Sequence, residues 1–170
     1  MKCHYGLPLF VILSCEACAT SLGWNGEPRV KVVDNAPAIC LPDDVKEDFP
    51  VRRVLLSESY VKNSIDWELR LAPGAIPLSL KPGECIKFGR IPIGYLLDET
   101  SKLKALRVNA TYSFMMDRVE DAEHYNHFYS TAFCVKKSEE GDLEYPQYTR
   151  LPNGSTVIPS CDARLNKNAE

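Results

Sequence analysis

Residues Leu106–Lys137, LRVNATYSFMMDRVEDAEHYNHFYSTAFCVKK, read as two β-strands joined by an acidic loop. Tyr112, Phe114 and Met116 alternate with Ser113, Met115 and Asp117, which is the period of a strand with one buried face. The second strand, His127 to Lys136, is rich in aromatic and β-branched residues and carries Cys134. Between them, Val119 to Asn126 is too polar and irregular for a buried element. A hairpin of this length cannot cover its own apolar face, so the rest of the chain must supply a second layer.

Working outward, Ile65–Leu71 (IDWELRL) alternates most cleanly, with Ile65, Trp67, Leu69 and Leu71 inward and Asp66, Glu68 and Arg70 outward. Arg29 to Asp34, Ala38 to Leu41, Val51 to Tyr60, Ile76 to Leu80 and Cys85 to Phe88 are further strands. Pro92 and Gly94 make Arg90 to Leu97 an edge segment or a loop rather than a central strand. Tyr145 to Arg150 and Thr156 to Pro159 are short late strands. No helix of ordinary length is indicated. About seven to nine short strands, with turn signals roughly every eight to twelve residues, predict an all-β, immunoglobulin-like β-sandwich. Tyr112, at the mouth of its strand, has the placement of a tyrosine corner.

The chain has 170 residues and a net charge of −3, enough for one domain with a sizeable core. That balance carries no basic patch for nucleic acid, and there is no glycine-rich phosphate loop. At the N-terminus, Lys2 precedes the apolar run Gly6–Leu13, far short of the roughly 20 residues that span a bilayer. This is a signal segment with two processing readings. Ile12-Leu13-Ser14-Cys15 resembles a lipobox with Cys15 as the lipidated residue; Ala17-Cys18-Ala19 suits ordinary cleavage before Thr20. The first is favoured, because the apolar run ends directly against Cys15. The expected organisation is then signal 1–14, tether 15–28, sandwich 29–165 and a frayed tail 166–170, in a periplasmic, membrane-anchored protein.

Seven cysteines are present. Cys40, Cys85, Cys134 and Cys161 are widely spaced, with no C-x-x-C pair among them, so zinc is disfavoured and two disulfides are expected in an exported domain. Three connectivities are open. The expected one joins Cys40 to Cys134, as two mid-strand residues, and Cys85 to Cys161, tying the tail to the body. Cys15-Glu16-Ala17-Cys18 resembles a redox pair, but its place at the signal boundary speaks against it.

No catalytic set emerges, and neither an enzyme activity nor a cofactor or small-molecule substrate is expected. His124 and His127, among Glu120, Asp121 and Glu123, are the one cluster with metal-ligand chemistry; their spacing suits a helix rather than a hairpin loop, so no metal is assigned. No serine sits in a nucleophile elbow. What remains is surface. Asp117, Glu120, Asp121 and Glu123, with Tyr125, are the predicted partner-binding residues, and Tyr129 is a further aromatic anchor. The turn Glu139, Glu140, Asp142, Glu144 would extend this negative patch if it lay at the same end of the sandwich.

The lipobox-like Cys15, the VKVVD strand with Ala38-Ile39-Cys40, the KPGECIKFG turn-strand at 81–89, Tyr112-Ser113-Phe114 and the FYSTAFC strand at 128–134 together resemble a family of small bacterial lipoproteins. Its members are proposed to be periplasmic immunity proteins of the type VI secretion system. The similarity covers about Arg29 to Lys136, and neither of its most specific segments is a catalytic signature. The tail with Cys161, the extra Cys18 and Leu13 in the lipobox depart from the pattern. The resemblance implies a lipid-anchored protein that neutralises a secreted antibacterial toxin by binding it. The alternative is a structural or assembly lipoprotein of the envelope.

Overall fold

A computed structural model describes residues 28–62, 64–101, 103–119, 128–151, 153, 155–157 and 161. Thirteen strands follow in chain order. β1 (Arg29–Val33), β2 (Ala36–Cys40), β3 (Phe49–Glu58), β4 (Trp67–Leu71) and β5 (Ser79–Leu80) come first. β6 (Cys85–Lys87), β7 (Tyr95–Leu97), β8 (Thr111–Arg118) and β9 (Phe128–Cys134) follow. The hairpins β10 (Lys136–Lys137)–β11 (Leu143–Glu144) and β12 (Thr149–Arg150)–β13 (Thr156–Val157) close the chain. Five of the thirteen are two residues long, which leaves eight of the kind the sequence predicts.

Every pairing is antiparallel. One sheet has the order β1-β2-β6; the larger has the order β7-β4-β3-β8-β9, with β5 on β3. β3, the longest strand, is the spine, with β8 along one flank and β4 along the other. β5 takes up the flank beyond the end of β4, and the segment between them, 72–78, steps out of that row. The alternating residues of β3, β4 and β8 (Val54, Leu56, Trp67, Leu69, Tyr112, Phe114, Met116) are buried together. Against them pack Ile39, Leu41 and Ile86 from the smaller sheet. The result is an all-β sandwich in which the predicted hairpin holds the centre. Aromatic contacts run through it: Trp67 meets Phe88 and Phe114 edge-on, and Phe133 lies against Tyr112, Phe114 and Tyr145.

Tyr112 is a tyrosine corner in its hydrogen bonding, its hydroxyl accepting the Arg107 amide at 2.9 Å. Burial pushes this phenol above its ordinary range. A second device joins the two sheets. The segment 145–148 lies along β9, where the Cys134 amide donates to Pro146 and the Tyr148 amide to Ala132. From there the Gln147 side chain reaches β1, accepting from Val30 at 2.8 Å and donating to the Pro28 carbonyl at 2.6 Å. The outer edge of β9 is thereby covered at its C-terminal end.

Three expectations are corrected. Tyr129 pairs with Met116, so it shares that residue's inward face and packs edge-on against Phe49 in the core rather than standing exposed. The disulfide expected between Cys40 and Cys134 is instead Cys40–Cys85. β2 pairs with β6 in a register that sets these two cysteines opposite each other, Cα–Cα 3.9 Å, while Cys134 belongs to the other sheet. That removes the Cys85–Cys161 pairing as well, and Cys134 and Cys161 are both free and buried.

Candidate functional site

The outward face of the large sheet carries an unbroken row of charge. It begins at an irregularity in β3. Val51 pairs with Arg118 and Arg53 with Asp117, so Arg52 is an extra residue in the strand. With that extra residue, both arginines reach one carboxylate: Arg53 Nε donates to Asp117 Oδ2 at 2.7 Å, and Arg52 Nη2 lies 3.5 Å from it. The row continues across the sheet, with Arg53 Nη1 3.7 Å and Arg70 Nη2 2.8 Å from Glu68 Oε1, and Arg70 Nε 3.2 Å from Asp98 Oδ2. Hydrogen bonds from the Thr100 hydroxyl and amide, more than Arg70, hold the Asp98 carboxyl below the usual carboxylate range. Glu68 Oε1 has no hydrogen bond of good geometry, yet the two guanidinium groups beside it supply its counter-charge.

Asp117 is therefore not part of an exposed acidic patch, as its sequence neighbours imply. It is buried beneath two arginines and serves the sheet. Replacing it by asparagine is expected to cost about 1–3 kcal/mol, because it removes the buried charge that both half-buried guanidinium groups share. Urea denaturation of Asp117→Asn checks this; an unchanged midpoint would mean that the arginines relax into solvent.

Of the other predicted binding residues, Glu120, Asp121, Glu123 and Tyr125 lie outside the described residues, as do Cys15, His124 and His127. The acidic loop leaves the sheet after Arg118 and returns at Phe128, whereas the turn Ser138–Asp142 follows the opposite end of β9. Beside the turn, Glu144 stands across from Lys136, so that stretch is less one-sided than its own sequence. No group of His, Cys, Asp and Glu among the described residues is arranged to hold a metal ion.

The most exposed apolar side chains gather elsewhere, at the β7 edge. Ile93 is 100% and Ile76 88% exposed, with Ile91 and Leu96 also projecting. Backbone contacts bring their two segments together. The Ala72 amide donates to Gly94 at 2.9 Å, and a Cβ on Gly94 (φ +85°) would sit 3.2 Å from that of Ala75. The Tyr95 hydroxyl ties the same region to the spine, donating to Val51 at 2.6 Å and accepting from the Leu78 amide at 3.1 Å. Ile76 and Ile93 thus stand on backbone that is held from both sides. Their signal in the sequence was IPIG at 91–94 beside AIP at 75–77, isoleucines next to turn residues, where an apolar side chain has little core to enter.

A second exposed group lies at the opposite end of the sheet, on the β3–β4 turn and the approach to β8. Tyr60, Val61, Leu103 and Val108 are exposed there, and Tyr60 (φ +65°), Leu103 (φ +43°) and Asn109 (φ +62°) occupy left-handed backbone. For tyrosine and leucine that conformation costs energy which the surrounding structure must supply. Arg107 braces this end through a two-pronged ion pair with Glu58.

Compared with protein-family models, with curated proteins and with solved structures, the chain finds no match in any of the three.

Proposed function

We propose that this chain is an exported, lipid-anchored binding protein of the periplasm, an immunity protein that neutralises a secreted antibacterial toxin by docking to it. The observation that carries the reading is the group Ile76, Ile91, Ile93 and Leu96, branched aliphatic side chains held out from a rigid sheet edge. Exposed apolar patches rimmed by polar residues mark interaction sites, and a preorganised one loses little entropy on binding. Arg70, paired with Leu96, and Asp98 give the patch a charged margin on the sheet side. The sequence resemblance to periplasmic immunity lipoproteins supplies the biological setting. A structural or assembly lipoprotein is the second reading. It draws on the outer side of β7, which pairs with no strand among the described residues and is a place where another subunit can add one.

The test is co-expression with a periplasm-directed toxin candidate from a reading frame adjacent to this gene. The wild-type chain should rescue the cells, and Ile76→Asp with Ile93→Asp should lose rescue and weaken binding by several hundred-fold, two central anchors at roughly 2 kcal/mol each. Both side chains are exposed, so the variant's melting temperature should match the wild type. If siblings lacking the gene resist every effector the strain delivers, the immunity reading fails; if the double variant protects in full, the surface is wrong.

A further inference from the structure

Among the described residues, the two cysteines outside the disulfide lie close to each other. Cys134 ends β9, opposite Thr111 of β8, and is fully buried. Cys161 comes to it from beyond β13 and is 6% exposed. The Cys161 thiol donates to the Ala110 carbonyl at 3.4 Å and lies 3.8 Å from the Val135 carbonyl. The same Ala110 carbonyl accepts the Val135 amide at 3.0 Å, so the thiol is seated on the closing rung between β8 and β9. Val135 follows Cys134 in the chain and Ala110 precedes its partner Thr111, so the two buried thiols are neighbours on this rung.

We infer that Cys134 and Cys161 are a modification site, a dithiol that exchange with a disulfide oxidant closes into a second crosslink, fastening the C-terminal segment to the large sheet. The Cys161 thiolate attacks one sulfur of the oxidant, forms a mixed disulfide and expels the first thiolate. The Cys134 sulfur, giving up its proton, then attacks the Cys161 sulfur, forms the internal bond and expels the second. The chain loses two protons and two electrons, and the oxidant leaves as two thiols. The order follows from access, since Cys161 keeps some exposed surface and Cys134 none. Burial pushes the Cys134 thiol up to about 12, which makes it a poor first attacker but a well-placed second one.

This site differs from Cys40–Cys85 in what it joins. The existing disulfide links two strands of the small sheet, whereas the second bond would tie a segment beyond the last hairpin to β9. The full chain, in its native state, is incubated with oxidised glutathione, acid-quenched, alkylated, digested without reductant and weighed. The expected product is a peptide pair joining Cys134 to Cys161, lighter by two hydrogens than its parts, with the Cys40–Cys85 pair unchanged. Proteolysis of the C-terminal segment should slow by about tenfold on oxidation, recover with dithiothreitol and show no such slowing in Cys161→Ser. Full alkylation of both thiols after prolonged oxidation would overturn the proposal. So would glutathione trapped on Cys161 without closure, or a crosslink from either residue to Cys40 or Cys85.

Discussion

Trp67→Ala is expected to lower stability by about 4 kcal/mol, near the upper end for a single side chain in a domain of this size. Trp67 is fully buried at the start of β4, opposite Leu56 of the spine. Its indole is gripped edge-on by Phe88 at 5.6 Å and Phe114 at 6.1 Å between ring centroids. Collapse into the vacated space is resisted because Phe114 and Leu56 belong to strands paired along their length. The cavity cost therefore adds to the transfer cost. Trp67→Phe separates two contributions. Indole Nε1 is buried with no hydrogen-bond partner among the described residues, a penalty of about 1–3 kcal/mol that phenylalanine removes. The lost ring area is of similar weight, so Trp67→Phe should fall within about 1 kcal/mol of the wild type. Urea titrations followed by far-ultraviolet circular dichroism measure both. A loss under about 1.5 kcal/mol for the alanine variant would mean that the two sheets are not closely packed at this point.

The inward face of β4, the hairpin of β8 and β9 and the edge character of β7 were all legible, because each depends only on neighbours in the chain: period two, a break and a proline. Trp67 and Tyr112 were placed by the same local pattern, and the corner hydrogen bond from Arg107 spans only five residues. What was not legible depends on register between distant strands. Cys40 faces Cys85 only because β6, 45 residues on, returns beside β2. Tyr129 is inward because the hairpin sets it across from Met116, a one-residue matter that reverses a face. Asp117 was read correctly as pointing away from the core, but outward was equated with wet. The extra residue in β3 that turns both Arg52 and Arg53 onto it leaves no mark in composition or period. The exposed isoleucines were hidden for the opposite reason, since an apolar residue beside turns reads as strand until its face is known.

Replacing Cys40 and Cys85 together by serine is expected to cost about 4 kcal/mol, from the entropy that a closed loop of 45 residues removes from the unfolded chain. For a domain of this length that corresponds to a melting temperature lower by roughly 8–16 °C. The position of the bond adds to its weight. The small sheet has strands of five, five and three residues, too short to hold together without the larger sheet, and the crosslink joins its central strand to its shortest. Ile39 and Ile86, neighbours of the two cysteines, are the residues by which this layer covers the core, so loosening β6 opens the apolar interior. The same loss should therefore appear as faster hydrogen exchange at β2 and β6 before it appears at β3 and β8. Reduction of the wild type and the double serine variant should agree in urea midpoint; a cost below about 1 kcal/mol in both would mean that the unfolded chain already keeps β2 and β6 together. If the reduced wild type falls further than the variant, a second bond was broken with the first, and Cys134 and Cys161 are the two thiols placed to have made it.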